Sequence, residues 1–337
     1  MNLPAQSIRL TALVLIVLIG SSAGCVSAEN SREKIVLKVL PAGSLLQPFA
    51  EVEKAFEAQH PDVDVQVEGH GSIQVIRQVT DLHRPIDVVA VADASLIPDL
   101  MFRTDSMTGA NFTDSYTPFA TNAMVIAFTN KSRYADEITS ENWYQVLSRP
   151  DVRVGISNPM LDAAGYRSIM VSLLADRYYQ NTTLFPILIG SHFTPSLVVH
   201  DEDGIATIRL PEVLRPSDGK LVIRDGSIFV LSHLEAGGID YAFEYRSVAE
   251  GHDLRWINLP PEIDLSSPDF ADEYGKVRII LGFQRFSAIG QERTGQPIVY
   301  AITIPNNAPH RGLAQEFADV VIQQAKIGGK GWPAPLD

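Results

Sequence analysis

Cysteine is almost absent from this chain: Cys25 is the only one among 337 residues. The residues that follow it therefore form no internal disulfide, and neither a cysteine-ligated metal site nor thiol chemistry is available to them. Eight histidines are present, but none stands in the His-x-x-x-His spacing, which argues against a zinc site. We expect no cofactor.

Long apolar runs and positive charge are also scarce. Beyond the N-terminal segment, no stretch reaches the roughly 18 uninterrupted apolar residues of a membrane helix. Lys and Arg number 27 against 40 Asp and Glu, a net charge of −13 with no basic stripe, which argues against a nucleic-acid partner. The acidity does not exclude an anionic ligand, because exposed charges are screened within about 8 Å whereas amide dipoles act at short range.

The N-terminus has the pattern of a secretory signal. Arg9 precedes an uncharged apolar run, 10–20, and small residues follow as far as Cys25. The sequence Ser22-Ala23-Gly24-Cys25 resembles a lipobox, although Ser22 stands where a larger aliphatic residue is usual. We therefore predict a signal peptide over 1–25, lipidation of Cys25 and a polar linker over 26–34. The protein would be extracellular, tethered to the outer face of the cytoplasmic membrane by that lipid alone.

Three Gly-Ser pairs, at 43–44, 71–72 and 226–227, each follow an apolar strand-like run and precede a helical pattern. Serine favours a helix N-cap, glycine permits a close approach of the backbone, and the free N–H groups of a helix N-terminus attract anions. Any one pair is ordinary capping. Three at strand-to-helix turns predict that several helix ends converge on one oxyanion.

Strands and helices alternate along most of the chain, which predicts an α/β fold with parallel strands. The predicted strands are 35–40, 63–68, 87–91, 123–129, 152–156, 220–224, 239–245, 277–282 and 297–304. The predicted helices are 45–59, 72–82, 141–148, 165–179, 228–236 and 311–325. The less regular stretch 183–219 contains a predicted hairpin over 198–208, and residues 328–337 are predicted to fray. Two units follow, one over 35–120 plus 257–337 and one over 121–256, with the ligand between them.

The chain resembles the archaeal tungstate/molybdate-binding proteins of ABC importers over nearly its whole mature length. The resemblance is carried by AGSLLQPF (42–49), HPDVDVQVEGHGS (60–72), ADASLIPDLM (92–101), ENWYQVLSRPDVRVGISNP (141–159), GYRS (165–168), IDYAFEYRSVA (239–249) and GQPIVYAITIP (295–305). It implies a type II periplasmic-binding-protein fold, in which two α/β lobes are joined by two crossover strands and the ligand lies in the cleft. It also implies a monomer that delivers tungstate or molybdate to a membrane permease.

Carried over by position, the resemblance implies a ligand site made by both lobes. The first lobe would contribute Ser44 and Ser72. The second would contribute the loop at Asp162–Ala164, the helix start at Ser227, and Tyr245. Asp162 would be a direct ligand to the tungsten or molybdenum of the bound oxyanion.

One position departs from that family. Ser227 stands where its members have a second carboxylate, a glutamate, and Asp225 would have to turn past the helix start to replace it. A carboxylate near a dianion repels it unless it bonds the metal or holds a proton. The departure therefore predicts four- or five-coordination of the bound oxyanion. For Arg167, one turn inside its helix, a structural ion pair is favoured over a role as an anion clamp.

Other functions stay open at this point. The missing glutamate leaves room for another anionic solute, such as phosphate, sulfate or a small carboxylate, and the same cleft would serve a sensing lobe of a membrane receptor. A hydrolase with Ser72 as nucleophile is disfavoured, because Gly69-His70-Gly71-Ser72 is not a Gly-x-Ser-x-Gly elbow and no histidine base can be assigned.

Overall fold

A computed structural model describes residues 33–282 and 292–336. The predicted signal peptide, Cys25 and most of the linker lie outside these residues. The elements of the N-terminal part, in chain order, are β1 (Ile35–Pro41), α1 (Leu46–Gln59), β2 (Val63–Val67), α2 (Ser72–Thr80), β3 (Val88–Val91), α3 (Leu96–Met101) and β4 (Thr117–Thr121). A single 3-10 turn, Gly43–Leu45, separates β1 from α1.

The middle of the chain continues the alternation. Its elements are β5 (Met124–Phe128), α4 (Trp143–Leu147), β6 (Val154–Ser157), α5 (Ala163–Tyr178), α6 (Leu184–Leu188), β7 (Val199–Glu202), β8 (Ile205–Arg209), β9 (Leu221–Arg224), α7 (Ser227–Glu235), β10 (Tyr241–Tyr245), α8 (Arg246–Gly251) and β11 (Arg255–Asn258). The C-terminal part has α9 (Ala271–Tyr274), β12 (Val277–Ile280), β13 (Glu292–Thr294), β14 (Val299–Thr303), α10 (Arg311–Ile327) and β15 (Ala334–Pro335).

Two mixed sheets form the core. The first has the order β15-β4-β14-β3-β1-β2, and β1 runs parallel to both β2 and β3, as the strand–helix alternation predicts. The second has the order β11-β5-β10-β6-β9, in which β6 is parallel to both β9 and β10. Strands β3, β5 and β10 are buried along their whole length, as central strands covered on both faces must be.

A third sheet, β13-β12-β8-β7, combines the predicted hairpin with strands from the C-terminal part of the chain. Strands β7 and β8 are antiparallel neighbours, which confirms the hairpin, and β8 also pairs in parallel with β12. The sequence does not predict this sheet, because its strands are short, partly exposed and far apart along the chain.

The prediction that residues 328–337 fray is wrong for 328–336, the part that the structure describes. β15 pairs with β4, and the Trp332 side chain is buried with its indole N–H donating to Glu51 Oε2 at 3.1 Å. This stretch contains few apolar residues, so its sequence predicts little packing. One buried tryptophan and one short strand pairing nevertheless hold it against the rest of the protein. Within the described residues no helix combines the length and the apolarity that a bilayer crossing requires.

Candidate functional site

All the candidate ligand residues lie at the carboxyl ends of strands in the first two sheets. Ser44 follows β1 and Ser72 begins α2, whereas Asp162 caps α5, Ser227 begins α7 and Tyr245 ends β10. Every one of these side chains is buried. Helix α5 begins two residues earlier than predicted, which places the Ala164 amide in its first turn.

The starts of α2 and α5 meet backbone to backbone. The N–H groups of Ile73 and Gln74 both donate to Leu161 O, at 3.1 and 3.2 Å. A Cβ added to Gly71 would lie 2.3 Å from that same carbonyl oxygen. Gly71 is therefore needed for the close approach that brings Ser72 beside Asp162.

The Asp162 carboxylate accepts hydrogen bonds from backbone amides at the starts of three helices. The N–H of Ser227 donates to Asp162 Oδ2 at 3.1 Å, and backbone hydrogen bonds from Ala164 and Ser72 act on the same group. Burial raises the pKa of Asp162, and these hydrogen bonds oppose that rise without cancelling it. Helices α2, α5 and α7 thus converge on the Asp162 carboxylate. Two of these helix starts carry a Gly-Ser pair, at 71–72 and 226–227, whereas the third pair, 43–44, lies in the 3-10 turn ahead of α1.

Three hydroxyl oxygens of the site accept hydrogen bonds from groups of the protein. Ser72 Oγ accepts from the N–H of Ala92 at 3.0 Å, and Ser44 Oγ accepts from the hydroxyl of Tyr300 at 3.1 Å. Tyr245 Oη accepts from Arg167 Nη1 at 2.7 Å. Because each oxygen already has a donor, the hydroxyl hydrogen is left to donate to an acceptor, which an oxyanion is.

Arg167 holds Tyr245 and is itself held by the first sheet. Its Nη1 also donates to Ala92 O at 2.6 Å, and its Nη2 lies 3.7 Å from Asp93 Oδ2. Burial alone would raise the pKa of Asp93, but Arg167 and Arg293 lower it overall. The predicted ion pair of Arg167 is confirmed, and it joins α5 to the end of β3.

Glu244 is a second buried carboxyl at the site, which the sequence analysis missed. Its Oε2 lies 2.7 Å from Ser227 Oγ, and its Oε1 accepts from the N–H of Tyr245 at 2.9 Å. Burial raises the pKa of Glu244 to about 8, and the nearby Asp162 adds to the rise. An acidic residue inside the apolar strand YAFEY was the available signal, since such a residue is almost never buried without a reason.

Asp225 does not take the place of the missing glutamate. Its side chain is exposed and accepts from Asn158 Nδ2 at 3.1 Å. Within 33–282 and 292–336, no group of three or more His, Cys, Asp or Glu side chains is arranged to hold a metal ion.

Comparison with known proteins agrees with this architecture. Residues 37–326 match the family described as bacterial extracellular solute-binding protein. The molybdate/tungstate-binding protein WtpA of Thermococcus kodakarensis is 40% identical over 323 residues, which cover 91% of this chain and 84% of that protein. An uncharacterized solute-binding protein of Methanoculleus marisnigri is 44% identical over 293 residues, covering 86% of this chain and 78% of that protein.

Solved structures agree on the fold. The periplasmic molybdate-binding protein of Azotobacter vinelandii gives a TM-score of 0.53 at 15% identity, covering 88% of this chain and 94% of that one. The sulfate-binding protein SubI of Mycobacterium tuberculosis gives a TM-score of 0.53 at 15% identity, covering 91% of this chain and 88% of that one. These likenesses confirm the predicted type II periplasmic-binding-protein fold. With the match over residues 37–326, they lead to one conclusion: the chain belongs to the bacterial extracellular solute-binding protein family.

Proposed function

We propose that this protein captures tungstate or molybdate outside the cell and delivers it to the permease of an ABC importer. The observation that carries the proposal is the convergence of the Ser72, Ala164 and Ser227 amides on one buried point between α2, α5 and α7. Helix N-terminal amides and neutral hydroxyls can together bind a dianion, and the buried guanidinium behind Tyr245, that of Arg167, is paired with Asp93. Relatives named as molybdate/tungstate-binding proteins support this choice of oxyanion.

Asp162 gives the site a means of selecting among oxyanions. Tungsten and molybdenum can add carboxylate oxygens to their coordination shell, whereas the sulfur of sulfate cannot. We propose that the Asp162 carboxylate bonds the metal of the bound oxyanion while the amides and hydroxyls bind its oxygens. With Ser227 in place of the family glutamate, the bound oxyanion would be four- or five-coordinate. The metal–oxygen bonds of tungstate and molybdate are longer than the sulfur–oxygen bonds of sulfate, so the size of the cavity would add to the discrimination against sulfate.

The proposal requires no catalysis and no cofactor. Ser72 Oγ accepts a backbone N–H, and His70 Nε2 is bonded to Glu68 Oε1 at 2.7 Å, so these two do not form a nucleophile–base pair. We further propose that the protein acts as a monomer and that lipid on Cys25 holds it at the outer face of the cytoplasmic membrane.

Calorimetry on the purified, ligand-stripped protein tests the oxyanion. Tungstate and molybdate should bind tightly, and sulfate and phosphate should give no heat. The variant Ser227→Ala should bind more weakly than wild type, whereas Ser232→Ala, an exposed serine on the same helix, should match it. A folded protein that gives no heat with tungstate or molybdate would overturn the proposal. Tight binding of phosphate or sulfate instead would favour a different anionic solute, the candidate that the loss of the family glutamate supports.

A further inference from the structure

Ser227 differs from the other hydroxyl groups of the site in its hydrogen-bond partner. Ser44, Ser72 and Tyr245 each accept from a donor, which leaves their hydrogens available. Ser227 Oγ instead lies 2.7 Å from Glu244 Oε2, the oxygen of a carboxyl group. Whether Ser227 can donate to a bound oxyanion therefore depends on which of these two atoms carries the shared hydrogen.

The surroundings of Glu244 favour its neutral form. The residue opposite it on β5 is Val125, and its hydrogen-bond partner on α7 is the uncharged Ser227. Asp162, which precedes α5, carries the same sign of charge as an ionised Glu244 would. The Tyr300 phenol on β14 also lies near enough to interact with Glu244. The buried guanidinium of α5, that of Arg167, is engaged by Asp93, Ala92 O and Tyr245. Among the described residues, no ion pair joins Glu244 to a cation.

The two forms of Glu244 would present different surfaces to a dianion. A Glu244 carboxylate takes the Ser227 hydrogen and adds a negative charge close to the ligand. A neutral Glu244 donates its Oε2 hydrogen to Ser227 Oγ, and the Ser227 hydrogen then turns toward the cleft like those of the other three hydroxyls. In that form every hydroxyl of the site can donate to the oxyanion at once.

We propose that Glu244 is a positioning residue for oxyanion binding: as the neutral acid it donates to Ser227 Oγ and so directs the Ser227 hydroxyl toward the ligand. This inference rests on the proposed function and deepens it. It also gives a role to a carboxyl that the resemblance to tungstate-binding proteins did not include. Ser227 and Glu244 together would replace the missing glutamate with a hydrogen-bond donor rather than a metal ligand.

The variant Glu244→Gln is a close mimic of the neutral acid. The N–H of Tyr245 points at Oε1, so the amide oxygen must take that place and the Nε2 donor must face Ser227. Glutamine thus fixes the donor toward Ser227 at every pH. A merely structural role of Glu244 would not change with pH, whereas the positioning role would.

The test is calorimetry with tungstate, a dianion over the whole range used, at about pH 7 and about pH 9.5. Wild-type affinity should fall by roughly tenfold between the two, because Glu244 is ionised at the higher pH and tungstate then binds without the hydrogen of Ser227. Glu244→Gln should bind tungstate as tightly as wild type does at pH 7, and its affinity should fall little at pH 9.5. At pH 7, adding Ser227→Ala should lower the tungstate affinity about tenfold both in wild type and in Glu244→Gln. At pH 9.5 it should lower the affinity of Glu244→Gln only.

Three results would overturn the inference. The first is that the tungstate affinities of wild type and Glu244→Gln change equally with pH. The second is that Glu244→Gln binds tungstate at pH 7 as weakly as Ser227→Ala does. The third is that Ser227→Ala lowers the affinity of wild type by the same factor at both pH values. Tight binding with any of these results leaves the proposed function intact. A folded wild type that binds no tungstate at either pH removes the proposed function and this inference with it.

Discussion

The hydroxyl groups of Ser44, Ser72 and Tyr245 accept hydrogen bonds from groups on distant parts of the chain. Ser72 and Ser44 were predicted from local sequence, since each follows a strand and a glycine. Their donors, Ala92 N–H and the Tyr300 hydroxyl, lie 20 and 256 residues away, and no local pattern reveals them. That each of these serines follows a strand was therefore predictable, whereas the direction of its hydroxyl hydrogen was not.

Removing one such hydroxyl tests this description directly. Ser72→Ala should lower tungstate affinity by roughly ten- to a hundredfold, because a hydrogen bond to a charged group contributes about 1.5–3 kcal/mol. The backbone amide of Ser72 remains in place, so binding should weaken rather than disappear. Titration calorimetry measures the change, and an affinity equal to that of wild type would show that this hydroxyl does not reach the ligand.

Glu244 should also affect stability in the absence of any ligand. Its pKa is raised from 4.5 to about 8 in the folded protein, so the folded state keeps a proton that the unfolded state loses. The stabilisation associated with that proton is complete below about pH 4.5 and is lost as the pH rises to about 8. Relative to Glu244→Gln, the unfolding free energy of wild type should fall by about 1.4 kcal/mol per pH unit across that window.

Urea unfolding of both proteins at several pH values checks this slope. The substitution cancels the contributions of all other titrating groups, so only the difference between the two curves matters. Parallel curves would mean that Glu244 is ionised in the folded protein near neutral pH.

At the scale of helices and strands, the close approach of α2 to α5 is the feature on which the site depends. The sequence predicted both helices because their strands, caps and apolar spacing are local features. It did not predict the contact of Ile73 and Gln74 with Leu161 O, which joins elements from two sheets. The third sheet escaped prediction for the same reason, since β8 and β12 meet only in the folded chain.

Gly71→Ala should therefore weaken oxyanion binding. The new Cβ would lie 2.3 Å from a backbone oxygen that cannot turn aside, so α2 must move away from α5 and the Ser72 amide with it. We expect a loss of about five- to a hundredfold in tungstate affinity, the scale of an overpacking cost of about 1–3 kcal/mol. The backbone at Gly71 (φ −62°, ψ 146°) suits alanine, so the helix itself should persist.

Gly43→Ala is the matched control for that variant. Its Cβ would meet Cγ2 of Ile228 at 3.3 Å, a side-chain atom that can shift by a few tenths of an ångström. Its effect on affinity should be the smaller of the two. Equal binding by Gly71→Ala and wild type would show that the approach of α2 to α5 is not needed for capture.

For the molecule as a whole, a net charge of −13 surrounds a site that is to bind a dianion. The amides act over a few ångströms and the surface charge acts over a Debye length, so the two influence different steps of binding. The association rate of tungstate should rise several-fold between about 0.02 M and 0.2 M salt, because screening weakens the long-range repulsion. Stopped-flow fluorescence measures this rate, and a decrease with salt would reveal a local positive field that outweighs the net charge.

The dissociation rate should change little over the same salt range. The groups proposed to hold the anion are buried at the starts of α2, α5 and α7, where dissolved ions do not screen them. A dissociation rate that rises steeply with salt would place the ligand at an exposed surface instead.

The Asp162 carboxylate lies where the three helix starts converge, so the protein carries a competitor for its own ligand within the chain. An intramolecular group of this kind acts at an effective concentration in the millimolar range or above. Abundant singly charged anions such as chloride, which bond the amides no better than a carboxylate does, would have to displace it and gain nothing. Only a ligand that both takes over the amides and gives the displaced carboxylate a new partner binds favourably. The site would thus reject common salts by internal competition, a form of selectivity that does not depend on the size of the cleft.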